Sequence, residues 1–154
     1  MSNLTEKSVW ANGAAYESYV ARWSRLVAQG FIKWLAIPPA ARWLDLGCGT
    51  GALTETILRQ ANLAQVDGID PSKGYLALAR EQVRDPRARF DVGDARRLSV
   101  ESARYDAVVS ALAPNFIPEI PTAMAEMARV VRSGGIVAGY VWDYAGKMEL
   151  MRHF

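Results

Sequence analysis

Three aspartates, Asp45, Asp70 and Asp94, each stand at or near the end of a short apolar run. The first lies in a side-chain-poor bend, Asp45-Leu46-Gly47-Cys48-Gly49-Thr50-Gly51. Glycines at that spacing let a chain turn sharply from strand to helix, and they let a ligand's polar atoms lie against backbone N–H groups at the helix N-terminus. A carboxylate ending a second strand can accept both hydroxyls of a ribose, and one ending a third can reach an amino group on an adenine. Asp45, inside the bend, is placed to order the loop or to meet an ammonium through water. Any one of these aspartates could be a turn residue bonding its own backbone. Three on one edge, beside a glycine bend, favour a nucleotide-containing ligand.

The glycine pattern alone leaves two readings open. Gly47, Gly49 and Ala52 also satisfy the G-x-G-x-x-A spacing of dinucleotide-binding domains, with an acid about 20 residues further on. The acid inside the bend and the third carboxylate after Gly93 separate the readings. Other reactive side chains are few. Cys48 is the only cysteine, which excludes an internal disulfide and a multi-cysteine metal site, and it reads as a small residue that fits the bend. His153, the only histidine, lies one residue from the end of the sequence and is read as non-catalytic. Asn115 follows Pro114 after a fourth strand, where acceptor-facing groups lie. The five tryptophans read as core, with Trp23 the exception, beside a suspected lid.

The bulk properties set the class. At 154 residues and 51% hydrophobic, the chain has the size of a single domain, 1–154, able to bury its own core. Its formal charge of +2 comes from 18 basic and 16 acidic residues spread along the sequence, which argues against an electrostatic nucleic-acid binder. The arginines between Arg80 and Arg97 are interrupted by acids and read as a solvated face. There is no basic segment followed by an apolar core at the N-terminus, and no apolar run of the ~18 residues a membrane span needs. The expectation is a soluble, cytoplasmic protein with no membrane contact.

These residues must be positioned by alternating strands and helices. Apolar residues from Val9 to Leu35 recur at helical spacing, with breaks expected at Gly13 and Gly30 and an end at Pro38-Pro39. Strands are expected at 42–46, 65–69, 88–92, 106–112 and 136–142. Helices are expected from the bend to about Ala61, over 73–84 capped by Ser72, and from Pro118 and Pro121 to a stop at Gly134-Gly135. Repeated βαβ units of this kind build an α/β fold around a parallel sheet.

Taken in order, the motifs LDLGCGTG (44–51), GIDPS (68–72), GDA (93–95), YDAVVSALAPNF (105–116) and RVVRSGGIV (129–137) resemble those of class I S-adenosylmethionine-dependent methyltransferases of the small-molecule type. YESYVARWSRL (16–26) is similar to the cofactor-covering helix of some members. The resemblance implies a Rossmann-like, doubly wound parallel sheet of strand order 3-2-1-4-5 with helices on both faces, an N-terminal helical lid over 1–37 and a core over 42–142. It implies S-adenosylmethionine as cofactor, with S-adenosylhomocysteine as product. Asp45, Gly47, Cys48, Gly49 and Gly51 would meet the methionine part. Asp70 with Pro71 would bind the ribose, Asp94 with Ala95 the adenine, and the backbone near Ser110 and Ala111 the ammonium. Tyr19 and Arg22 would close over the cofactor, Arg22 toward its carboxylate. No catalytic residue and no metal ligand is assigned, because an in-line displacement at a sulfonium needs chiefly alignment.

The sequence departs from the family after the fifth strand, where another helix and an antiparallel strand pair usually follow. It therefore reads as cut short, with an exposed fifth-strand edge open to homodimer pairing. Ala113-Pro114-Asn115-Phe116 lacks the first amide or acid and the second proline of nucleic-acid amino-methylating enzymes. The leading expectation is methyl transfer to a small-molecule acceptor. Behind it stand a non-catalytic cofactor-binding domain that works through a partner and, third, an NAD-dependent oxidoreductase.

Overall fold

The apolar run carrying Asp45 is the middle strand of a five-stranded sheet. The computed structural model describes residues 22–143. Its strands are β1 (Ala41–Leu46), β2 (Leu63–Asp70), β3 (Ala88–Val92), β4 (Tyr105–Ala111) and β5 (Val131–Tyr140). They lie in the order β3-β2-β1-β4-β5, and every pairing is parallel. The helices are α1 (Arg22–Leu35), α2 (Ala52–Gln60), α3 (Lys73–Gln82) and α4 (Ile120–Val130), with a 3-10 turn at Ala113–Phe116. This is the doubly wound, Rossmann-like arrangement expected from the resemblance.

Strand periodicity divides the core. β1 is covered on both faces, so its apolar residues run almost without a break. Trp43 faces one side, where Ala28, Phe31, Ile32 and Leu35 of α1 and Leu53 and Ile57 of α2 pack with Val66, Ala107 and Val109. Leu44 and Leu46 face the other side, against Ile69, Val108 and the α4 residues Met127 and Val130. Leu76 and Ala79 of α3 pack with Cys48, Val83 and Phe90 in a third cluster beneath the glycine bend. Trp34, by contrast, is 74% exposed, which corrects the expectation that the tryptophans are core. It stacks on Phe31 from outside.

Two expected breakpoints are not breaks. Gly13 lies outside the described residues, and α1 runs unbroken through Gly30. An interior glycine costs about 1 kcal/mol relative to alanine. Burial of Phe31, Ile32 and Leu35 on the same helix outweighs that, at roughly 1.5–3 kcal/mol for each large side chain. Gly134-Gly135 does not stop α4 either. The helix ends at Val130, and β5 starts at the next residue, Val131, whose N–H still donates to Met127 O. Tyr105 pairs with Val131 and Ala107 with Ile136, so Arg132, Ser133, Gly134 and Gly135 are looped out. A Cβ on Gly135 would lie 2.7 Å from Asp106 O, so glycine is needed there for close approach to β4 rather than for a helix stop.

The loop from β3 to β4 is held down by one arginine. Arg129 donates to Leu98 O (3.0 Å) and Val100 O (2.8 Å) and pairs with Glu126, whose other role is to accept from Leu98 N–H at 2.7 Å. That clasp fixes the loop whose first residues carry Asp94. Ser72 caps α3 as expected, accepting from Tyr75 N–H at 3.3 Å.

Gly30 is exposed, and a Cβ built there meets nothing within 4 Å. Gly30→Ala should therefore stabilise the fold by about 0.5–1 kcal/mol, read as a higher urea midpoint at unchanged slope. A lower midpoint would mean that the helix is interrupted at this residue in solution.

Candidate functional site

Beyond the carboxyl ends of β1 to β4 lies a cleft of about 470 Å³. Leu46, Gly47 and Gly49 form its floor, with Asp70, Pro71, Ser72 and Tyr75 on the β2 side, Gly93 to Arg96 after β3, and Ala111 to Ala113 with Phe116 to Pro118 after β4. A recess of about 40 Å³ adjoins it at Gly47, Gly49 and Ala111, and Asp45, Cys48, Thr50 and Ser24 line that recess. A groove of similar volume at the opposite end of the sheet, between Ile32, Trp43 and Gln60, has Lys33 as its one charged lining group. The carboxylate chemistry is concentrated in the cleft, at the edge where ligands bind in open parallel sheets.

The bend forms because its backbone demands glycine at chosen points. Gly47 has φ +73°, and a Cβ on it would collide with the Cβ of Ala113. Gly49 has φ +54° with open space around it, so it leaves room above the floor. Gly51 does not reach the cleft; it is the left-handed N-cap of α2 and packs against Val83 and Ala79. Four amides of the bend are engaged within the protein. Gly47 and Cys48 N–H both donate to Ile69 O (2.7 and 3.2 Å), Gly51 N–H to Cys48 O (2.9 Å) and Gly49 N–H to Asp70 Oδ2 (3.0 Å). A pyrophosphate needs those donors free. These four donors are not available to one.

The floor carries negative charge instead. Asp45 is fully buried; its Oδ2 accepts from Thr54 Oγ1 at 2.7 Å, while its Oδ1 has no hydrogen-bond partner among the described residues. Burial, with Asp70's charge adding to it, pushes its pKa up to about 7. Asp70, also buried, accepts from Gly49 N–H and, through Oδ1, from Ser72 N–H at 2.8 Å, and burial raises its pKa as well. Neither has an ion-pair partner among the described residues. Asp94 is the opposite case: partly exposed and bound through both oxygens by Arg96, it is held down to about 2.

Other expected site residues fall as follows. Pro71 and Ala95 line the cleft, and Ala111 lines both cleft and recess. Ser110 is buried below them, donating through Oγ to Leu46 O at 2.7 Å, so its side chain ties β4 to β1. Cys48 lines the recess, but burial and the charges of Asp45 and Asp70 push its thiol pKa well above the ordinary value and leave it un-ionised. Asn115 does not face an acceptor: its Oδ1 accepts from Trp142 N–H (2.7 Å) and its Nδ2 donates to Trp142 O (3.2 Å), fastening the wall after β4 to the end of β5. Tyr19, His153 and the side chains of Arg22 and Trp23 lie outside the described residues. Arg96 was read as part of a solvated face, yet it lines the cleft. The Asp-x-Arg spacing from Asp94 was its signal. Tyr75 and Phe116 also line the cleft without having been singled out.

The same arrangement recurs in known proteins. Trans-aconitate 2-methyltransferase of Variovorax paradoxus is 32% identical over 127 residues, covering 82% of this chain and 48% of the relative. The 2-phytyl-1,4-naphtoquinone methyltransferase of Synechococcus elongatus is 30% identical over 121 residues, covering 75% and 50%. The chain thus spans about half the length of these curated relatives. The crystal structure of an S-adenosylmethionine-dependent methyltransferase from Mesorhizobium loti superposes with a TM-score of 0.63 at 24% identity, covering 78% of this chain and 53% of that one, a likeness of fold. Residues 44–135, from the strand before the glycine bend to the bulge of β5, match the family described as Methyltransferase domain. A carboxylate-floored cleft on this sheet, together with that match, places the chain in the class I S-adenosylmethionine-dependent methyltransferase family.

Proposed function

We propose that the cleft binds S-adenosylmethionine and that the protein transfers its methyl group to a small-molecule acceptor. The observation that carries this reading is the pair of buried carboxylates, Asp45 and Asp70, without an ion-pair partner among the described residues, beside a bend in which Gly47, Cys48, Gly49 and Gly51 N–H are already engaged. Such a floor favours a ligand with positive charge and hydroxyl groups and disfavours a phosphate. Asp70 keeps lone pairs for the ribose diol beyond its two backbone bonds. Asp45 Oδ1 and the backbone at Ala111 flank the recess, where an ammonium would offset the carboxylate directly or through water. Gly47, Cys48 and Gly49 shape the methionine end, and Asp94 and Ala95 the adenine end; the sequence resemblance adds Tyr19 and Arg22 as candidates for the lid.

The cofactor supplies an activated methyl on a sulfonium. The chain's part is to hold that methyl in line with an acceptor, an effect worth on the order of 7–11 kcal/mol in favourable cases. The relatives' names specify trans-aconitate and a naphthoquinone, both small molecules, which supports a small acceptor here. No helix among the described residues is long and apolar enough to cross a membrane, in keeping with a cytoplasmic setting. A non-catalytic binding domain would use the same cleft, and methyl turnover with candidate acceptors separates the two readings.

Among the described residues β5 is an edge strand of the sheet, and Ile136 and Val141 are exposed on it and just past it. We propose that a second copy covers this edge. Sedimentation should show a dimer; a monomer at every concentration would remove that proposal.

Asp70→Ala should weaken S-adenosylhomocysteine binding by about 2–3 kcal/mol, because two ribose hydroxyls lose their acceptor and Gly49 its tether. Calorimetry returning an unchanged affinity would show that the ligand lies elsewhere. Asp45 gives a pH signature. Its folded pKa of about 7 lies above the ordinary 3.8, so the folded chain retains a proton that the unfolded chain has released. Stability of the free protein should therefore fall as pH rises from about 4 to 7. Binding of the cationic cofactor should strengthen about tenfold between pH 6 and 8, as the carboxylate ionises. Asp45→Asn should flatten both profiles, and an unaltered pair of profiles would mean that another group titrates.

A further inference from the structure

The adenine end of the cleft is spanned by a three-membered ionic cluster, Asp94, Arg96 and Glu119, of which the methyl-transfer reading uses only Asp94. Arg96 lies two residues after Asp94 and binds it in a fork: Oδ1 accepts from Arg96 N–H (2.9 Å) and Nε (3.0 Å), and Oδ2 accepts from Nη2 (2.7 Å) and from the same Nε (3.2 Å). The remaining nitrogen, Nη1, reaches Glu119 Oε1 at 3.0 Å. Glu119 closes the wall that follows β4, and the three residues before it, Phe116, Ile117 and Pro118, line the cleft. That wall is bracketed by two non-glycine residues in left-handed conformation, Leu112 (φ 61°) and Glu119 (φ 53°). Such conformations are costly and persist where neighbouring contacts enforce them. The Arg96 ion pair is one such contact for Glu119, on the side that faces the cleft.

We propose that Arg96 is a positioning residue for adenine recognition: one edge of its guanidinium aims the Asp94 carboxylate, while the other docks the wall after β4 through Glu119. The proposal rests on the adenosyl reading of the cleft. Arg96 engages both oxygens, Oδ1 through its backbone N–H and Nε and Oδ2 through Nη2 and the shared Nε, and because that Nε bond is divided between them the carboxylate keeps acceptor capacity for an exocyclic amino group. A free aspartate in a turn would rotate; this one is fixed at two nitrogens and kept ionised across the physiological range. An ionised, oriented acceptor selects an amino group and repels a carbonyl oxygen at the same place on the ring. Because the same guanidinium holds Glu119, reading the base and closing the wall are coupled. Surface ion pairs are individually weak, but a bidentate arginine that bridges two carboxylates belongs to the geometries that do contribute.

The test is calorimetry and stopped-flow binding on the intact chain. The probes are S-adenosylhomocysteine and its inosyl analogue, which carries a carbonyl oxygen in place of the amino group. The wild-type protein should favour the adenosyl compound by about tenfold or more. Arg96→Gln should bring that ratio near unity and weaken adenosyl binding by about tenfold, with partial rescue by Arg96→Lys. Glu119→Gln should leave the ratio in place and speed dissociation several-fold. An Arg96→Gln protein that keeps both ratio and affinity, while Asp70→Ala has lost binding, would overturn the positioning role and leave the adenosyl reading intact. Wild-type protein that binds neither compound would overturn the adenosyl reading and this proposal with it. Should Arg96→Gln not fold by circular dichroism, the Glu119→Gln dissociation rate decides: an unchanged rate overturns the coupling.

Discussion

The cleft exists because the end of β2 reaches across to the bend that follows β1. Ile69 O takes the N–H groups of Gly47 and Cys48, and the next residue, Asp70, takes that of Gly49 through its side chain. Without those acceptors, three consecutive amides would be left unpaired in a partly buried bend, at a cost of roughly 1–3 kcal/mol each. With them, the bend is shaped by the strand beside it. Asp70 is thus architectural and chemical at once, holding the floor in place while keeping further acceptor capacity toward the cleft.

That economy explains the electrostatics. A bend that satisfied its amides with a ligand would suit an anion; one that satisfies them with a neighbouring strand is left with the field of its carboxylates. Asp45 and Asp70 lie close enough for the charge of Asp70 to raise the pKa of Asp45, and Thr54 offsets only part of the burial. Asp94, at the other end, has its charge neutralised by Arg96. The site therefore has a charge-hungry end beside β1 and a charge-satisfied end beside β3. One extremity thus favours positive charge and the other does not.

Much of this was legible in the sequence. Short apolar runs, three of them with an acid at or near the end, located β1 to β4 within two residues and β5 with its start five residues late, and Ser72 marked the start of α3. The glycine bend and its three carboxylates came to one rim, as Asp70 and Asp94 in the cleft and Asp45 in the adjoining recess show. What escaped was whatever depended on distant partners. Gly30 looked like a break because local propensity counts against it, whereas the packing that overrides it comes from across the sheet. Gly134-Gly135 looked like a helix stop, but its role is set by the backbone of β4 beside it. The amides of the bend looked available because their acceptor, Ile69 O, lies more than a whole helix further along the chain. Arg96 was hidden among other arginines, and the sequence alone carried no sign of Glu119 on the far side.

α4 passes into β5 without an intervening residue, so the rotation of the helix about its axis would ordinarily dictate which strand side chains turn toward which layer. The looped-out quartet from Arg132 to Gly135 supplies slack between the two. Beyond it, Val137 points to the α4 layer, and Ala138 and Tyr140 to the α1 layer, whatever phase the helix arrives in. Changes in the cleft wall that roll or tilt α4 can therefore be absorbed at this joint before they reach the sheet. The framework can stay constant while the cleft wall is free to diversify.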